Sequence, residues 1–135
     1  MDLIIDANIL FAALIKESIT IEIMLNENIR LFAPEFLLEE FYKHKEEILT
    51  KTKRTKEEFN DIYEVIKSLI TFIPFEEFHQ FLSEAERLIV DKDDVPYFAL
   101  SMKLNIPIWS NYKQFQKQKI VSVYSTEQII KLIKL

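Results

Sequence analysis

Three acidic signals lie where carboxylates could do chemistry. The first is Asp6 in "LIIDANILFAALI", a lone charge that interrupts an apolar run and is followed two residues later by Asn8. The second, "APEFLLEEFYKHKEEI", carries Glu39 and Glu40 inside an amphipathic pattern, with His44 one turn further on. The third, "VDKDDVPYFAL", sets Asp91, Asp93 and Asp94 ahead of a largely apolar helix. Carboxylates drawn to one place repel each other unless they are protonated or neutralised by a cation. Cysteine is absent and His44 and His79 are the only imidazoles, so the matching cation is a hard, oxygen-loving one, Mg²⁺ or Mn²⁺.

Each signal also has an ordinary structural explanation. Asp6 is well suited to cap the helix that starts near Asn8. Asp91, Asp93 and Asp94 can cap the helix containing Pro96 and favour its positive end, though one aspartate suffices for that. On a helix centred on Leu37, Phe41 and Ile48, at about 100° per residue, Glu40 falls roughly 80° from the apolar centre while Glu39 points nearly opposite. Glu40 therefore flanks the buried side and can reach a neighbouring site, whereas Glu39 belongs in water. His44 shares the flank of Glu40, where most histidines are simply half-exposed.

The elements that must position these groups read as an alternation of strands and helices. Short apolar runs at 3–5, 31–33, 72–74, 106–109 and 120–124 suit strands buried on both faces, as in a parallel sheet. Between them, residues 56–70 place Phe59, Ile62, Ile66, Leu69 and Ile70 on one stripe behind a capping box from Thr55 to Glu58. A stripe of Phe78, Phe81, Leu82, Ala85, Leu88 and Ile89 predicts a helix over 76–89. "STEQIIKLIKL" predicts another, with a capping box from Ser125 to Gln128. In "SITIEIMLNEN" the isoleucines recur at period two, as in a strand, but the length and the neighbours favour a helix. With no repeat or linker, the 135 residues read as one α/β domain. In such sheets functional groups collect beyond the carboxyl ends of the strands, which is where Asp6 falls.

Composition removes several alternatives. No glycine means no Walker loop and no dinucleotide fingerprint. No cysteine excludes disulfides, thiolate zinc sites and a cysteine nucleophile. No apolar run reaches the roughly 18 residues that span a bilayer, and "MDLIID" lacks the basic start of a signal peptide, which predicts a cytoplasmic protein. The net charge of −5 offers nucleic acid no general attraction. Basic stretches in "YKHKEEILTKTKRTKEE" and "YKQFQKQK" read as a solvated helix connection and a solvated turn.

Taken in order, "LIIDANIL", "APEFLLEEF" and "DKDDVPYFALSMKLNIPIWSNYKQF" resemble the PIN-domain nucleases, among them the VapC-like toxins. The resemblance implies a Rossmann-like three-layer α/β/α sandwich with a central parallel sheet. It also implies Mg²⁺- or Mn²⁺-dependent cleavage of RNA to a 5′-phosphate and a 3′-hydroxyl, a cognate antitoxin and a homodimer. By motif, Asp6, Glu40 and Asp94 match the family's acids and so would be its catalytic and metal-binding residues. Asn8 matches the polar residue that follows the first acid, and Asp91 and Asp93 are auxiliary metal candidates. The departure is at the fourth acidic position, where "WSNYKQF" places Tyr112. A phenol is neutral near pH 7 and removes one negative charge from the site. Ser110 and Asn111 would supply neutral oxygens beside it.

Two functions follow from the resemblance. One is a metal-dependent endoribonuclease, with a phosphotransferase disfavoured because its D-x-D pairing would need an acid where Asn8 stands. The other is a PIN-fold module with a degenerate metal site that binds RNA or a protein. Tyr112 is the residue that favours the second.

Overall fold

The computed structural model describes residues 1–16 and 18–134. Five parallel strands form one sheet in the order β3-β2-β1-β4-β5. They are β1 (Asp2–Ile5), β2 (Arg30–Pro34), β3 (Ile70–Ile73), β4 (Ile108–Trp109) and β5 (Val123–Tyr124). The helices are α1 (Ala7–Ile15), α2 (Ile19–Met24), α3 (Phe36–Lys51), α4 (Lys56–Leu69), α5 (Leu82–Glu86), α6 (Val95–Leu104) and α7 (Thr126–Ile133). The result is the expected three-layer α/β/α sandwich.

Connection handedness explains the layers. The chain moves outward from β1 to β2 to β3 through α1–α4, then crosses back through α5 and α6 to place β4 on the other side of β1. Right-handed crossovers running in opposite directions put their helices on opposite faces of the sheet. Accordingly α1 groups with α2, α3 and α4, while α6 lies against β1, β2 and β4 with α5 packed upon it. Leu3, Ile4 and Ile5 have no solvent exposure at all, as a strand covered on both faces requires. The direction of winding reverses between β1 and β4. That makes their carboxyl ends the topological switch point, where such sheets leave a crevice.

Local signals account for several ends. Thr55 and Ser125 each form the full capping box, with Glu58 and Gln128. The ambiguous isoleucine-rich segment is helical, capped by the Ser18 hydroxyl on the Thr20 N–H at 3.2 Å. Asn105, with φ at 57°, ends α6 in the left-handed conformation that asparagine tolerates.

Three expectations need correction. The stripe over 76–89 is not one helix. The stretch opens with 3-10 turns at Phe75–Glu77 and His79–Phe81, and only Leu82–Glu86 is α-helical. The break is at Phe78, which leaves helical geometry at φ −131° to bury its ring edge-on to Phe75. Burying an aromatic of that size outweighs two or three helical hydrogen bonds, so packing overrides periodicity. Second, the strand expected at 72–74 begins earlier. Ile70, counted on the helical stripe, is already extended and pairs with Leu31. Third, two strands are shorter than expected: that over 106–109 is reduced to Ile108–Trp109, and that over 120–124 to Val123–Tyr124. The Gln118 carboxamide takes the N–H groups of Ile120 and Val121 and donates to the carbonyls of Phe115 and Val121, holding that stretch as a loop.

Candidate active site

The register of the two central strands builds the site. Ile4 pairs with Ile108 and Ile5 with Trp109, so the next residues, Asp6 and Ser110, leave the sheet side by side. Asp6 is 4% exposed. Its Oδ1 accepts the N–H of Ile9 at 3.0 Å and caps α1, while its Oδ2 accepts the hydroxyl of Ser110. The capping role is therefore real, and it coexists with a carboxylate held at the switch point. Burial pushes the Asp6 carboxyl up to about 6, against the opposing pull of those hydrogen bonds.

Glu40 approaches from α3, on the flank of the buried face that its helical angle indicated. Its Oε1 accepts the hydroxyl of Tyr97, a buried residue of α6. Burial raises its pKa, and the negative charges of Asp93 and Asp6 add to that. Glu39 lies outside the cleft.

Asp94 stands at the start of α6, yet its side chain caps nothing. It is half-buried, and its pKa rises to about 7, first through burial and then through Asp91, Asp6, Glu40 and Asp93. Asp91 also lines the cleft, with Oδ1 accepting the Asp93 N–H at 2.9 Å. Asp93 is exposed and is not part of the cleft wall.

These groups line a cleft of about 540 Å³ whose wall also includes Asn8, Phe11, His44, Lys51 and Tyr112. His44 sits against the Phe11 ring at 5.6 Å and pairs with Glu47 at 3.5 Å. Tyr112 is 46% exposed on this wall, with its N–H donated to the Ser110 hydroxyl oxygen at 3.1 Å. Asn111 faces the other way. Its carboxamide exchanges hydrogen bonds with Thr126, at 2.9 Å to Oγ1 and 2.8 Å from the N–H, and so joins the end of β4 to α7. Ser110 is fully buried and serves Asp6 rather than the open cleft.

Among the described residues no three His, Asp or Glu side chains are gathered closely enough to ligate one ion together. The donor set nonetheless fits a hard cation. Its carboxylates offer only oxygen, and the like charges of Asp91, Asp6, Glu40 and Asp93 add to the burial that raises the Asp94 carboxyl. Mg²⁺ needs only one or two direct carboxylates because it keeps several waters and binds substrate phosphate.

Tyr97 is the residue that sequence reasoning passed over. A tyrosine within a buried helix needs a partner for its hydroxyl, which is the signal that could have found it. That partner is Glu40, 57 residues away in sequence.

A family model described as "PIN domain" matches residues 4–131. No curated protein matches the sequence. Among solved structures, the fold is similar to that of VapBC2 from Rickettsia felis bound to a DNA fragment from their promoter. The TM-score is 0.67 at 18% identity, covering 93% of this chain and 98% of the other.

Proposed function

The chain belongs to the PIN-domain family, and from that premise we propose that it is a metal-dependent endoribonuclease acting through Asp6, Glu40 and Asp94. The observation that carries the reading is that these three carboxylates line one cleft at the β1/β4 switch point, where burial first and like charge second raise the carboxyls of Glu40 and Asp94. Asp6 and Asp94 would be the principal holders of a Mg²⁺ or Mn²⁺ ion, and Glu40 a further holder or the group orienting a water. When bound, such an ion lowers the pKa of an attacking water and offsets charge on the scissile phosphate. Ser110 and the α1 N-terminus fix Asp6, and Tyr97 fixes Glu40, so neither carboxylate has to be ordered anew when substrate arrives. Asp91, on the same cleft wall, would assist.

To this reading we add a cognate antitoxin and a homodimer, as the family resemblance implies, in a cytoplasmic setting; the likeness of fold to VapBC2 accords with the first of these. The whole described chain then acts as one PIN-like domain. No helix among the described residues is long and apolar enough to cross a membrane.

The test is cleavage of single-stranded RNA by wild type with Mn²⁺ and with chelator, beside Asp6→Asn and Tyr112→Asp. Cleavage that needs Mn²⁺ and disappears in Asp6→Asn supports the nuclease. A wild type silent on all RNA, with Tyr112→Asp active, supports the second reading, a degenerate PIN module that binds RNA or protein. The exposed phenol at position 112 is what favours that alternative.

A further inference from the structure

Tyr112 also borders a second depression. A hollow of about 630 Å³ on the side of the 3-10 turn Lys113–Lys117 shares Asp91, Asp94 and Tyr112 with the carboxylate cleft, and adds Val90 and Lys117. The two hollows therefore meet at the Tyr112 ring, beside Asp94. That ring is held from behind. It packs edge-on against Phe115 at 5.4 Å, and Phe115 packs edge-on against Phe98 of α6 at 4.9 Å. Phe98 and Phe115 are buried, so the half-exposed phenol rests on a buried aromatic support. Each hollow also carries one lysine, Lys51 in the first and Lys117 in the second.

From this arrangement we propose that Tyr112 is a base-stacking platform, over which a single strand of nucleic acid passes from one hollow to the other. The proposal rests on the nuclease reading for its substrate class and adds where the strand lies. A nucleobase offers a flat face to the ring. Its flanking phosphates fall toward the hollows, where Lys117 takes one and the carboxylate cleft, once its charge is offset, takes the other. Stacking tolerates any base but favours the larger purine face, so the platform confers a modest purine preference next to the scissile bond. The substitution of phenol for acid at position 112 then exchanges one carboxylate for a substrate contact.

The experiment measures anisotropy of labelled ten-residue single strands of A and of U, as RNA and as DNA. It uses wild type, Tyr112→Ala, Tyr112→Phe, Tyr112→Trp and Lys117→Gln. Titrations run with Mg²⁺ and with chelator, with strand integrity checked afterwards and thermal unfolding recorded for every variant. Tyr112→Ala is expected to lose about 10- to 100-fold in affinity, as removal of one stacked base contact does. Tyr112→Phe and Tyr112→Trp should remain within about threefold of wild type, because the ring and not the hydroxyl does the stacking. The preference for A over U should shrink toward unity in Tyr112→Ala, which a loss of packing alone would not produce. Lys117→Gln should lower the salt dependence by about one phosphate contact. Equal affinity and equal A/U ratio in a folded Tyr112→Ala overturns the platform. The cleavage assay separates the two readings: Mn²⁺-dependent cleavage lost in Asp6→Asn, beside unaltered binding in Tyr112→Ala, sinks the platform and leaves the nuclease. Binding that depends on Tyr112 without cleavage does the reverse, and a preference for DNA strands over RNA would reassign the substrate.

Discussion

Asp6 and Asp94 carry the same side chain at the start of a helix, yet they are held in opposite ways. At the β1/β4 junction both oxygens of Asp6 accept hydrogen bonds, one from the helix backbone and one from Ser110. At the start of α6 the Asp94 carboxylate caps nothing, and the residue's backbone lies near helical values, at φ −86° and ψ −21°, unlike a cap. Asp6 has φ −92° and ψ 174°, the extended geometry a capping side chain needs. Both carboxyls are pushed up, Asp6 mainly by burial and Asp94 by burial with four acidic neighbours behind it. Asp6 is thus fixed by structure, whereas Asp94 bears an uncompensated electrostatic load. A helix-capping role and a place in a chemical site are compatible in one residue, and a helix-start position does not by itself make an aspartate a cap.

Mn²⁺ gives the strongest means of breaking this comparison. Binding to the folded state alone stabilises it by about 2.7 kcal/mol when the ion is present at a hundred times its Kd. We expect Mn²⁺ to raise the Tm of wild type and to lose most of that effect in Asp94→Asn, measured by thermal unfolding. An equal rise in both proteins would remove Asp94 from the site. Glu39→Gln, outside the cleft, serves as the matched control.

Comparing Asn with Ala at each position separates hydrogen bonding from charge, because both substitutions delete the carboxylate. At position 6, Asn keeps an acceptor for the Ile9 N–H and for the Ser110 hydroxyl proton, while Ala leaves both donors without one. Ala should therefore be less stable than Asn there by about 1–3 kcal/mol in chelator, from the lost cap and a buried hydroxyl proton left without an acceptor. At position 94 the two should agree within about 0.5 kcal/mol, since there is no hydrogen bond to lose. Denaturant titration of the four variants decides the matter; a large difference at 94 would mean that the side chain does cap α6.

Acid titration sharpens the contrast further. Both carboxyls bind their proton more tightly folded than unfolded, so the folded state holds more protons between the unfolded value of 3.8 and the folded values of about 6 and about 7. By linkage, these groups make the metal-free protein lose stability as pH rises through that window, and regain it on acidification. Asp94→Asn should flatten the upper part of that slope, between about 6 and 7, and leave the lower part to Asp6. Since Asp94 is half in water, solvent screening keeps its share modest. The proton and the metal compete for the same oxygens, so Mn²⁺ affinity should climb over the same range. A chelated protein whose Tm is flat from pH 4 to 7 would contradict both raised carboxyls.

The smallest effect belongs to position 39. Glu39→Gln should change the Tm by less than about 2 °C with or without Mn²⁺, as surface substitutions away from structural features do. A clear loss of Mn²⁺ response in this variant would mean that α3 is rotated from its described orientation and that Glu40 is not the residue facing the cleft.

Much of this architecture was legible because it depends on local order. The apolar triplets announced buried parallel strands, and the spacing of Thr55 with Glu58 and of Ser125 with Gln128 announced helix starts. One angle on one helix separated Glu40 from Glu39. Such features need only the residue's own neighbours along the chain, whose geometry is set by backbone sterics and the helical or pleated repeat. The sandwich likewise follows from alternation of strands and helices with one hand of crossover. Tertiary structure decided what depends on partners far away in sequence. Phe78 abandoned a regular helical stripe because a ring could be buried, and Gln118 shortened the last strand by holding the backbone that would have extended it. Ser110, Asn111 and Tyr112 are consecutive, yet they meet Asp6, Thr126 and the open cleft respectively. No periodicity could assign those three directions, because the chain is leaving a strand and follows neither a helical nor a pleated repeat. The pairing of Tyr97 with Glu40 was hidden for the same reason: α3 and α6 meet only when the chain has crossed from one face of the sheet to the other, and a hydrogen bond between them exists only after that crossing.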